Sequence, residues 1–165
     1  MIWQEFEGAA PGLARLAKAR FEQAGVALIG TLGKDGVPRI DPIEPFFANG
    51  HLLLGMLRAS RKALNLLRDP RCVLHSAVSR SDGSEGEIKL YGRAVSVPPG
   101  ELWDAYGRAF AAKHAGPPPA GFPGHVFSLD LGRAVSIGWD TGNGEMFVSR
   151  WSPEAGPSET RQKYP

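Results

Sequence analysis

The stretch Val26-Ala27-Leu28-Ile29-Gly30-Thr31-Leu32-Gly33-Lys34-Asp35-Gly36-Val37-Pro38-Arg39-Ile40-Asp41-Pro42 decides the architecture. Its opening apolar run reads as a buried strand, Gly33-Lys34-Asp35-Gly36 as a hairpin loop, and Val37 to Phe47 as the returning partner. Asn49-Gly50 is a second hairpin signal, and it leads into the apolar run His51-Leu52-Leu53-Leu54-Gly55-Met56-Leu57. Antiparallel strands joined by tight turns are therefore expected from the start.

Before this block, residues 9 to 24 place Leu13, Leu16, Ala17, Phe21 and Ala24 on one face, with Pro11 in the first turn and Gly25 just past the end. That is the pattern of an amphipathic helix covering a sheet. After the block comes Ser60-Arg61-Lys62-Ala63-Leu64-Asn65-Leu66-Leu67-Arg68-Asp69-Pro70, a short helix opening on a hydroxyl and two cations. Unpaired N–H groups and a positive dipole end make such a helix start a seat for phosphate, although Ser60 as a plain N-cap uses the same geometry. Asp69-Pro70 stops the helix, because the residue before proline avoids the α region.

Further on, Arg71 to Val78 reads as a strand, Ser81 to Ser84 as a turn, and Glu87 to Val97 as another strand. Pro98-Pro99 opens a helix with Leu102, Tyr106, Ala109 and Phe110 inward, ending near His114. The proline-rich run from Gly116 to Gly124 reads as a loop, one that could reach a neighbouring chain. Strands are expected from His125 to Trp139, with a break near Gly132, and again up to Trp151. The organisation expected is one domain over residues 1–152 followed by a loose polar tail, 153–165.

Composition narrows the function. The chain has 165 residues, 42% hydrophobic and 22% charged, which suits a globular domain with its own core. Its 19 basic and 17 acidic residues are interspersed, so a nucleic-acid surface is not expected; the cations cluster only from Arg58 to Lys62. No run reaches membrane-spanning length and no leader pattern opens the chain, so a cytoplasmic protein is expected. Cys72 is the one cysteine, which excludes an intrachain disulfide. His51, His75, His114 and His125 show no metal-ligand spacing, and no metal site is expected. Phe46, Phe47, Trp103, Tyr106 and Phe110 read as core or interface aromatics.

The order of elements, with Pro38-Arg39, Ser60-Arg61-Lys62-Ala63, Asp69-Pro70-Arg71 and Tyr91-Gly92-Arg93-Ala94, resembles the pyridoxamine 5'-phosphate oxidase-like flavoproteins. The resemblance is close over residues 26 to 97. It implies a mainly β fold with peripheral helices (α+β), a six-stranded antiparallel split β-barrel forming a homodimer with flavin mononucleotide (FMN) in grooves between subunits. By the same pattern, Arg39, Ser60, Arg61 and Lys62 would hold the phosphate. Ile40, Asp41, Pro42, Met56 and Leu57 would line the ring and ribityl chain.

This sequence also departs from the true oxidase. Glu44 stands where the oxidase has a lysine, and Glu87 where it has a glutamine; the Trp139 and Arg150 region is only loosely comparable. Oxidation of pyridoxamine phosphate is therefore not expected. The expectation is a smaller relative: an oxidoreductase that uses FMN, or a deazaflavin coenzyme, to pass hydride or electrons to a small organic substrate. The alternatives are a flavin- or haem-type binding protein without turnover, and a cofactor-free dimeric interaction module.

Overall fold

A computed structural model describes residues 1–163, and the hairpin read from Val26 onward is present in it. Strand β1 (Ala27–Leu32) pairs antiparallel with β2 (Pro38–Ile43), so that Gly30 faces Ile40 and Thr31 faces Arg39. The returning strand is shorter than expected. It ends at Ile43, and β3 (Pro45–Ala48) pairs instead with β4 (His51–Met56) across the Asn49-Gly50 turn. The cause is local: Pro45 has no N–H for a ladder and restricts Glu44 before it, so the chain changes partners there.

Helix α1 (Trp3–Ala9) and α2 (Pro11–Ala24) replace the single N-terminal helix expected from residue 9. They are separated at Ala10, whose backbone leaves the helical region just before the Pro11 start. The remaining elements are α3 (Arg61–Arg68), β5 (Arg71–Ser76), β6 (Glu87–Val97), α4 (Glu101–His114), β7 (His125–Asp140), β8 (Glu145–Ser152) and β9 (Gly156–Lys163). Strand β7 runs unbroken past Gly132; the irregularity there is a bulge, with Tyr91 opposite Arg133 and Gly92 opposite Leu131. The polar segment expected as a loose tail pairs along β8 as β9, an exposed edge strand.

The described residues thus form nine strands where six were expected, because the strand from Val37 divides at Glu44 and because β8 and β9 extend the sheet past β7. The main path runs β2-β1-β5-β6-β7-β4-β3. Strands β2 and β3 therefore stand at opposite ends of the path while a single residue, Glu44, joins them in sequence. The sheet has to curl until its ends meet, which makes a split barrel closed by chain and not by a ladder.

Alternation along the strands fills the barrel. Ile29, Leu52, Leu54, Leu74, Ile88, Leu90, Phe127 and Leu129 are buried together, with Phe6 and Phe21 from α1 and α2 in the same cluster. Helix α4 lies on the outer face, where Phe46, Leu53, Val97, Tyr106 and Val126 form a second apolar cluster. Among the described residues no helix is long and apolar enough to cross a membrane.

Candidate functional site

Where the barrel closes, a groove of about 500 Å³ opens between the β2–β3 corner, the end of β4, the start of α3 and the loop after α4. That volume is within the range of about 300–1,000 Å³ usual for small-molecule sites. Of the residues expected to hold a cofactor, Pro42, Met56, Leu57, Ser60 and Lys62 line this groove. Arg39, Ile40, Asp41 and Arg61 do not line it.

Each placement has a local cause. Ser60 is the N-cap of α3, and its Oγ accepts the Ala63 N–H at 3.4 Å, which satisfies one first-turn amide and leaves those of Arg61 and Lys62 without an intrahelical partner. Lys62, on that first turn, donates from Nζ to the Pro42 carbonyl on β2. Partial burial lowers the Lys62 pKa, an effect opposed by Asp41 and reinforced by the Arg39 cation, so these three groups share one field. Arg39 is paired bidentately with Asp41, Nε to Oδ2 at 2.8 Å and Nη2 to Oδ1 at 3.0 Å, which raises the pKa of its guanidinium. Arg61 is exposed. The helix start carries the two cations Arg61 and Lys62, and β2 sets the Arg39–Asp41 pair in the field of Lys62, a donor set suited to a phosphate group.

The helix is held in register by a buried contact. Asn65 Nδ2 donates to Thr31 Oγ1 at 3.0 Å, and the two side chains are among the few buried polar ones.

Residues that sequence reasoning did not assign to the site form the rest of the groove: Gly25, Val26, Ile43, Glu44, Gly55 and Phe122. Glu44, which stands where the true oxidase has a lysine, is engaged by α4. Its carboxylate accepts from Lys113 Nζ at 2.6 Å and His114 Nε2 at 2.9 Å. Gly55 allows α4 to approach, since a Cβ there would stand 2.1 Å from the Tyr106 hydroxyl oxygen. Burial, with Glu44 nearby, raises the Tyr106 pKa.

The proline-rich loop packs on its own subunit's groove. Gly124 N–H donates to the Met56 carbonyl at 2.8 Å, and a Cβ on Gly124 would stand 2.3 Å from the Arg58 nitrogen. Phe122 is thereby set in the groove wall, its ring 5.6 Å from that of Phe110. The signal for this was present in Gly124, a glycine beside a proline where close backbone approach was needed.

Ile40 lies beyond the groove's edge, on the face of β2 that it shares with Pro42. It is 71% exposed on the outer face of β2, beside Leu28 at 36% on β1, and among the described residues no element covers that face. Among the described residues no group of three or more His, Cys, Asp or Glu side chains is placed to hold a metal ion. Cys72 is buried, and burial pushes its thiol up to about 12.

Comparisons with known proteins agree with this architecture. Residues 13–136 match the family model described as pyridoxamine 5'-phosphate oxidase. Among solved structures, the chain is similar to PhzG from Burkholderia lata 383 in complex with tetrahydrophenazine-1-carboxylic acid, with a TM-score of 0.64 and 16% identity, covering 98% of this chain and 93% of that one. It is similar to a pyridoxamine 5'-phosphate oxidase-related, FMN binding protein from Nostoc punctiforme PCC 73102, with a TM-score of 0.61 and 11% identity, covering 96% and 97%. A heme binding protein from Mycobacterium smegmatis matches with a TM-score of 0.58 and 17% identity, covering 90% and 88%. A comparison with curated protein sequences finds no match. With the split barrel, the cationic start of α3 and the family match over most of its length, the chain belongs to the pyridoxamine 5'-phosphate oxidase family.

Proposed function

We propose that the groove binds a flavin-type cofactor, FMN or a deazaflavin coenzyme, and that the protein is an oxidoreductase acting on a small organic substrate. The observation that carries this is the juxtaposition of Ser60 and Lys62 at the start of α3 with an apolar wall of Ile43, Met56, Leu57 and Phe122 in one groove. The first supplies hydroxyl and ammonium donors for a phosphate; the second suits a flat ring. When bound, such a cofactor supplies hydride or electron transfer, and the chain supplies placement and field. Lys62 would neutralise phosphate charge, with Arg61 beside it and Arg39 released from or shared with Asp41. Phe122 and the loop that carries it would shield the ring from water.

The uncovered face around Leu28 and Ile40 is the surface we assign to a homodimer. A half-buried or exposed apolar sheet face adjoining β2 would bring a second copy next to Arg39 and the groove.

The test is fluorescence titration with FMN and, separately, with the deazaflavin coenzyme, using R61A/K62A as the control. Binding that is lost in the control supports the reading, and binding of neither sinks it in favour of a cofactor-free interaction module. A solved relative that is a heme binding protein motivates a second reading, haem-type binding without turnover. Among the described residues the groove is lined by Lys62 and Ser60 and by no histidine, which favours flavin over haem. A haem titration followed at the Soret band distinguishes them.

A further inference from the structure

A second cleft, of about 490 Å³, shares no lining residue with the groove. It exists because α4 begins too late to cover its sheet. The helix packs over Leu53, Val97 and Val126, but starts only at Glu101, and the same face continues uncovered at Val95 on β6 and Ser128 on β7, which stand opposite each other. Ile2, Pro98 and Leu102 bound the opening. Val95 is left 50% exposed, an apolar side chain with no protein cover.

One polar group faces this wall. His51 Nδ1 lies 2.8 Å from the hydroxyl of Ser128, which is only 8% exposed. The other ring nitrogen, Nε2, has no hydrogen-bond partner among the described residues. Charged groups on the rim are largely engaged already. Glu5 accepts the Ile2 N–H at 2.9 Å, and Asp130 pairs with the Met1 amine. Glu101 stands in the first turn of α4, whose dipole offsets its charge.

We infer that this cleft binds a small uncharged molecule, an apolar ring or chain bearing a hydroxyl-type group that hydrogen-bonds His51 Nε2. A carboxylate ligand would meet Glu5, Glu101 and Asp130. An ammonium would find no free counter-ion among the described residues, since Asp130 is paired with the Met1 amine, Glu5 accepts the Ile2 N–H and Glu101 is offset by the dipole at the start of α4. A hydroxyl can donate or accept, so it satisfies Nε2 in either tautomer of the ring. This inference does not rest on the flavin reading.

The experiment is titration of the full chain with phenol, followed by 1H–15N NMR, alongside toluene, which has the same shape without the hydroxyl. Phenol should shift the amides around His51, Val95 and Ser128 in a saturable way, and toluene should bind roughly threefold to tenfold more weakly for want of the hydrogen bond. V95W, a change at a half-exposed position that fills the cleft, should abolish those shifts while leaving the remaining spectrum intact. Phenol shifts that persist in V95W, or that fall elsewhere, overturn the site. Equal affinity for toluene overturns the ligand class.

Discussion

Asn65 on α3 donates to Thr31 on β1 across 3.0 Å, a buried side-chain contact between the helix that carries the cations and the barrel. That link, with Ala63 and Leu66 buried in the core, sets the position of α3 on the barrel. N65A would leave the Thr31 hydroxyl buried and unpaired, at a cost of about 1–3 kcal/mol. Urea denaturation should show that loss. N65A/T31V should recover part of it, because both partners are then removed.

Lys62 predicts a proton-linked binding signal. Its folded pKa lies below the usual 10.5 because burial disfavours the ammonium. Protonation therefore costs the fold stability, and this penalty is relieved as pH rises through the lowered folded value towards 10.5. A phosphate beside the ammonium reverses the shift. Binding of FMN at alkaline pH should then take up a fraction of a proton, read by calorimetry in buffers of different ionisation enthalpy, and K62M should abolish the uptake. Uptake unchanged in K62M would place the phosphate elsewhere.

Gly55 is where α4 presses against β4. An alanine there meets the Tyr106 ring as well as its hydroxyl, at 2.1 to 2.8 Å. G55A should destabilise the protein by about 1–3 kcal/mol, as overpacking does. Y106F should not rescue it, since ring carbons remain in the way, whereas Y106L should rescue it in part. Thermal melts of the three variants check this.

The outer face of β1 and β2 sets the expected assembly. If a second copy covers Leu28 and Ile40, then I40R buries a charge in an apolar contact. Sedimentation should show a dimer for the native chain and a shift of at least tenfold in its dissociation constant for I40R, equivalent to about 1.4 kcal/mol. A native chain that sediments as a monomer at micromolar concentration refutes the assignment.

Cys72 offers a probe of the whole fold. Its thiol, raised to about 12 by burial, holds almost no thiolate at pH 8. Iodoacetamide should modify it only after unfolding, so labelling should track the urea transition. Rapid labelling of the native chain would contradict the burial.

How much of this was legible in the sequence depended on whether the signal was local. Gly33 to Gly36, Asn49-Gly50, Pro11 with Gly25, and Ser60 with Pro70 are turn and cap chemistry, and each marks its element correctly. The break at Glu44 was missed because a run of apolar residues on both sides hides a change of partner strand. The pairing of β9 was missed because an exposed edge strand carries polar residues on both faces. In the site, Ser60 and Lys62 were readable from helix-start chemistry, whereas Glu44 and Phe122 enter through contacts distant in sequence, with His114 and with the Met56–Arg58 turn. Ile40 was expected in the groove by resemblance; it shares a face of β2 with Pro42, which lines the groove, but stands two residues further along the strand and is exposed.

The seam at Glu44 has a mechanical consequence. Elsewhere around the barrel, parting two strands breaks a ladder of backbone hydrogen bonds, but β2 and β3 share none. The wall there is held by a covalent corner, the Lys62 contact to Pro42, the clasp of Lys113 and His114 on Glu44, and the burial of Ile43 and Phe46 on either side. The groove therefore lies along a line of the closed wall that side chains and a covalent corner hold in place of a backbone ladder.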